Sequence, residues 1–139
     1  MISAQDLLKP RLAGQTLTHT DLRADNIVMT SERVVFVDWA HAQNAASWVD
    51  TAILIGDVIA SRADLADGGD IDIAGLIRDH PPLRVVPYET VWQLIVALAG
   101  ALHSLSRRPS PPGLPTIRSW QRLTADVLMS WCQRESPLP

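Results

Sequence analysis

The chain has 139 residues, 47% of them hydrophobic, and a formal net charge of −3. That length suits one domain with its own core, and the apolar share excludes a generally disordered chain. The charge balance leaves no basic footprint for nucleic acid, and the one cysteine, Cys132, excludes an intrachain disulfide and fits a reducing cytoplasm.

The N-terminal residues lack a basic region ahead of an apolar run, so no secretory signal is read. The spacing predicts a short helix over residues 3–9, stopped by Pro10. Residues 17–19 read as a short strand. The β-branched run at 26–29, the polar link Thr30-Ser31-Glu32-Arg33 and the continuous apolar run at 34–37 predict a hairpin whose second strand is buried. From Ala45 the period changes to helical: Trp48, Ala52, Ile55 and Ile59 share a face widened by Val49 and Ile53, with Asn44 or Ser47 as candidate caps. Residues 67–70 read as a turn, and Asp70 or Asp72 can cap a short helix reaching about Arg78 before His80-Pro81-Pro82. A long helix is predicted over 89–106. Its apolar stretch, 91–102, is interrupted by Gln93 and falls short of the roughly 20 residues that cross a bilayer; a buried core helix and no membrane partner are expected. Four prolines and a glycine make 107–115 a loop. A final amphipathic helix over 116–135 should turn Ile117, Trp120, Leu123, Val127 and Trp131 inward. The layout is a single α+β domain, mostly helical, with a small hairpin near its start.

The residues that carry chemistry cluster at that hairpin. His19-Thr20-Asp21-Leu22-Arg23-Ala24-Asp25-Asn26 reads H-x-D-x-x-x-x-N, and Asp38-Trp39 follows the second strand, twelve residues after Asn26. A hairpin brings its open ends together, so the 21–26 loop and Asp38 should meet. Phosphoryl transfer needs an orienter for the acceptor hydroxyl, metal ions on the phosphates, and positive charge near the moving group. Asp21 can accept the hydroxyl proton. The Asn26 amide oxygen and the Asp38 carboxylate are hard ligands that suit Mg²⁺. Arg23 can place a guanidinium on phosphate, and His19 can fix the loop through a hydrogen bond.

The 19–26 segment resembles the catalytic loop of the protein-kinase superfamily, and Asp38-Trp39 resembles its D-F-G position with Trp after the Asp. Together they are similar to the aminoglycoside phosphotransferase and choline kinase-like branch. Residues 46–52 also resemble that branch's helix-starting segment, in which an Asp follows an aromatic pair. Thr20 stands where the branch commonly carries Gly. The resemblance covers roughly residues 17–60 and implies the C-terminal lobe of a protein-kinase-like fold. It implies Asp21 as catalytic base, Asn26 and Asp38 as ligands of Mg²⁺ carried with ATP, Arg23 near phosphate, Asp50 as the tie between helix start and catalytic loop, and His19 and Trp39 as scaffolding. The implied function is transfer of a γ-phosphate to a hydroxyl of an aminoglycoside, sugar or amino alcohol.

The branch's nucleotide-covering strands, glycine-rich loop and Lys–Glu pair would precede His19. The one lysine, Lys9, lies next to Pro10, and no G-x-G-x-x-G occurs. The expectation is therefore a C-terminal lobe without its nucleotide lobe, prone to self-association through an apolar patch around Ile27, Val35 and Trp39. The rival readings are a non-catalytic remnant or binding module of the same family, and a metal-dependent phosphohydrolase using Asp21 and Asp38. His41, His80 and His103 have no partners at zinc spacing. Asp64, Asp67, Asp70 and Asp72 do not fit a calcium loop. Trp92, Trp120 and Trp131 read as core, and Cys132 as structural.

Overall fold

The computed structural model describes residues 4–62 and 71–137. In chain order these form α1 (Ala4–Leu12), β1 (Thr16–Thr18), β2 (Ile27–Met29), β3 (Val34–Phe36), β4 (Gln43–Ala45), α2 (Val49–Arg62), α3 (Ile73–Asp79), α4 (Tyr88–Ser106) and α5 (Ile117–Arg134). The domain is α+β and mostly helical. The predicted turn at 67–70, with Asp64, Asp67 and Asp70, lies outside the described residues.

Four helices surround α4, which touches α1, α2, α3 and α5. That is why its sequence is apolar nearly all round: Val91, Ile95 and Ala99 are fully buried, and Trp92, Leu94, Val96 and Leu98 pack beside them. The α2 stripe faces the same core, with Trp48, Val49, Ala52, Ile55 and Ile59 buried as the spacing predicts. Asp72 caps α3, its Oδ1 accepting from the Gly75 N–H at 2.7 Å.

Three expectations are corrected. Pro10 does not end α1, which runs on to Leu12. A proline in the last turn removes one N–H without blocking the residues after it, and the Arg11 guanidinium donates to Thr90 Oγ1 on α4. On α5 the buried face is Gln121, Ala125, Leu128, Trp131 and Cys132, whereas Trp120 and Leu123 are exposed. The inward stripe is turned by about one residue, because the α5 contact with α4 outweighs the hydropathy of the first two turns. The strand over 34–37 is not buried: Val34, Phe36 and Val37 are exposed, as are Val28 and Met29 opposite.

The strands form two separate antiparallel pairs. β2 meets β3 with Ile27 opposite Phe36 and Met29 opposite Val34. β1 meets β4 with Thr16 opposite Ala45 and Thr18 opposite Gln43. The β1–β4 pair closes the base of an excursion over residues 19–42, which contains the whole motif. Its fastening is tight: Thr18 is buried and its hydroxyl donates to the Gln43 carbonyl at 2.8 Å, while Ala46 N–H donates to the Leu12 carbonyl. A side chain on Gly14 would meet the Ala45 carbonyl oxygen at 2.4 Å, so only glycine lets the chain cross there.

Candidate functional site

The 19–26 loop leaves β1 at His19 and is held from three sides. Asp50, in the first turn of α2, receives two backbone N–H groups: His19 N at 2.7 Å on Oδ2 and Thr20 N at 2.8 Å on Oδ1. One carboxylate thus fixes two successive amides at a helix N-terminus, where its charge is favoured. Asp57, two turns further along α2, accepts the Ala24 N–H at 2.9 Å. The third hold is His19 itself. Its ring is buried, Nε2 lies 2.7 Å from the Val37 carbonyl, and it packs at 4.9 Å against the Trp39 ring. The carbonyl contact assigns the proton to Nε2 and leaves Nδ1 to receive the Asp21 N–H at 3.3 Å.

The backbone bends sharply at two points. Thr20 has φ 60° and Asp38 has φ 61°, the two left-handed non-glycine residues among those described. Asparagine and aspartate reach this region readily, but a β-branched residue does so under strain. Thr20 is held there by Asp50 and by its own hydroxyl, which donates to the His41 carbonyl at 2.7 Å. That bond also ties the loop to the 3-10 turn Trp39–His41 that follows Asp38.

Asp21 and Asn26 come together. Asn26 is buried, and its Nδ2 donates to the Asp21 carbonyl at 2.8 Å and lies 3.4 Å from Asp21 Oδ2. The Asn26 carbonyl in turn receives the Val37 N–H at 3.0 Å. Val37 is therefore bound to both Asn26 and His19, and it directly precedes Asp38. Asp38 itself is exposed and does not use its carboxylate to cap the turn it heads.

Arg23 is engaged within the loop. Its Nε lies 3.3 Å from Asp21 Oδ1, too far off line for a hydrogen bond, and its outer nitrogen meets Asp25 at 3.1 Å. Its guanidinium also stacks over Trp120 of α5 at 4.9 Å. Here it neutralises Asp21 and links the loop to α5.

A cleft of about 780 Å³ opens beside the loop, between α2, α4 and α5. Thr20, Asp21, Arg23, His41 and Asp57 lie at its polar side. Asn26 and Asp38 do not line it, and the link seen between the 21–26 loop and the start of the Asp38 turn is the Val37 N–H on the Asn26 carbonyl. Sequence reasoning missed His41 and Trp120 as residues of this cleft. Asp57 had a readable signal: it stands seven residues after Asp50 on an otherwise apolar helix, a spacing that returns to the same face. Trp120 had none, because its role depends on how α5 is turned.

Among the described residues no three His, Cys, Asp or Glu side chains form a cation cage. The residues expected to hold a cation, Asn26 and Asp38, would offer one amide oxygen and one carboxylate. The Asn26 Nδ2 is engaged by Asp21, which leaves the hard amide oxygen for a cation. Such a sparse oxygen set fits Mg²⁺ that arrives on phosphate, since this ion keeps much of its water and takes few protein ligands. Comparison with family profiles, with curated proteins and with solved structures gave no match to this chain.

Proposed function

We propose that this chain is the helical, acceptor-binding lobe of an ATP-dependent small-molecule phosphotransferase, similar in its motif to the aminoglycoside phosphotransferase and choline kinase-like branch. The observation that carries the reading is the 19–26 loop: Asp50 and His19 fix its backbone, Asn26 braces Asp21, and Asp21 opens onto a cleft. A flexible polar turn would not need a buried histidine and a bidentate carboxylate to hold its shape.

In this reading the acceptor lies in the cleft and presents its hydroxyl to Asp21, which orients it and takes its proton. Asn26 and Asp38 would hold Mg²⁺ on the hairpin side, where the ion would neutralise charge on the phosphates of ATP. Arg23 keeps Asp21 oriented and can turn toward the moving phosphoryl group. His19, Trp39 and Asp50 hold the loop. The adenine contacts and a phosphate-binding lysine would come from a nucleotide-binding lobe seated over the exposed hairpin face.

The test is acceptor-dependent transfer of labelled γ-phosphate by the chain combined with a nucleotide-binding lobe. Asp21→Ala is expected to lower turnover by at least about 100-fold, the low end for a positioned general base, with the fold intact by circular dichroism. Turnover within threefold of the parent would remove Asp21 from the chemistry. A second reading, a binding module that keeps the cleft without catalysis, is favoured by the closure of Arg23 onto Asp21. It predicts ligand binding with no transfer under the same conditions.

A further inference from the structure

Resting on the phosphotransferase reading for where the hydroxyl reacts, we infer that the cleft takes a neutral amphipathic alcohol, an apolar body with a hydroxyl at one end, rather than a polycation. Three helices each give it aliphatic side chains. Ile53 comes from α2, Leu98, Leu102 and Leu105 come from successive turns of α4, and Ile117 and Leu128 come from α5. Gly56 keeps the α2 wall open: a side chain there would reach Leu98 Cδ2 at 3.1 Å. A volume of about 780 Å³ holds a molecule much larger than an amino alcohol.

Charge decides against a polycation. The cleft has two carboxylates, Asp21 and Asp57. Asp21 already faces Arg23 and Asn26, and Asp57 already accepts the Ala24 N–H. An acceptor with several ammonium groups would meet one carboxylate that has no cationic partner, Asp57, and would press the remaining groups against leucine and isoleucine, which is costly. Gln43, Gln121 and Thr124 supply neutral polar groups instead. Glu89 does not line the cleft and receives the Gln93 amide at 2.9 Å.

The probes are octyl glucoside and hexyl glucoside below their micellar concentrations, glucose, and kanamycin as polycation. Each is titrated into the 139-residue chain without nucleotide, by calorimetry and tryptophan fluorescence. Octyl glucoside is expected to bind saturably, hexyl glucoside roughly 15-fold more weakly at about fourfold per methylene, and glucose and kanamycin not measurably. Leu105→Asp and Ile117→Asp should each weaken octyl glucoside at least fivefold, whereas Phe36→Ser on the hairpin should not. Thermal melts accompany the variants, and the ligand series on the parent chain decides even if a variant unfolds. Kanamycin binding as tightly as octyl glucoside, no binding of octyl glucoside, no dependence on alkyl length, or loss with Phe36→Ser alone would each overturn the assignment. Because nucleotide is absent, transfer with no amphiphile binding rejects the acceptor class alone. Amphiphile binding without transfer rejects the activity alone.

Discussion

At the scale of single residues, Thr20 shows how a local penalty is outweighed by its surroundings. A left-handed β-branched residue costs roughly 1–3 kcal/mol, and each hydrogen bond that holds it contributes about 1 kcal/mol. Replacement separates the two effects. Thr20→Ala loses the bond to the His41 carbonyl but keeps a Cβ in the left-handed region, whereas Thr20→Gly loses the bond and relieves the strain. The glycine variant is expected to be more stable than the alanine variant by about 1 kcal/mol, the relief available in this region; equal urea midpoints would show that the backbone is unstrained. Cys132 is a second case. Burial pushes its thiol up to about 11 from an ordinary 9.0. The unfolded chain therefore ionises first, so this residue's stabilising contribution is complete below about pH 9 and is lost as pH rises from 9 to 11. Alkylation by iodoacetamide at pH 8 should be at least about 100-fold slower in the folded chain than in urea, as the thiolate fraction requires. Comparable rates would mean that the thiol is reached without unfolding.

At the scale of elements, α2 is both a core helix and the clamp of the loop. Its apolar face packs on α4, and Asp50 and Asp57 carry its other side onto residues 19–24. Asp50→Ala would leave two part-buried N–H groups without an acceptor, a loss of about 2–6 kcal/mol at 1–3 per group. Asp50→Asn retains one acceptor oxygen and should lose less. Faster amide exchange at His19 and Thr20 in both variants, read by NMR, would locate the loss in the loop. A midpoint within about 0.5 kcal/mol of the parent, the usual range for surface changes, would show that the loop does not depend on this carboxylate.

At the scale of the whole molecule, the hairpin is the feature that does not close on itself. Val28, Met29, Val34, Phe36, Val37 and Trp39 are all exposed on one small element, whereas the patch had been expected around Ile27, Val35 and Trp39. Of those three, Ile27 and Val35 are half-buried and Trp39 is exposed. Two-stranded pairs also leave strand edges open. The chain is expected to bind an apolar dye and to self-associate with rising concentration in light scattering, and Phe36→Ser with Val34→Thr should reduce both. A monomer at all concentrations with no dye binding would count against a covering lobe. The proposed function assigns the adenine contacts to a separate lobe and so predicts weak Mg·ATP binding by this chain alone. A low-micromolar dissociation constant by calorimetry would contradict it.

The sequence by itself determined where the core helices lie: α2, α3 and α4 stand where their spacing puts them, α3 with the cap expected at Asp72. It also determined the residue types at the loop, since H-x-D-x-x-x-x-N and Asp38 are legible without any fold. What only the tertiary structure decided is contact between distant segments. β4 was invisible because Gln43 and Asn44 are polar and exposed, and the strand exists only through its pairing with β1. The outward turn of Trp120 follows from how α5 meets α4, and it places an aromatic expected in the core beside Arg23. The exposure of the hairpin was likewise unreadable, because an apolar run records that a surface is suited to burial and not what buries it. Period is a property of neighbours along the chain; a site is a property of neighbours in space, and those are set only when the core closes.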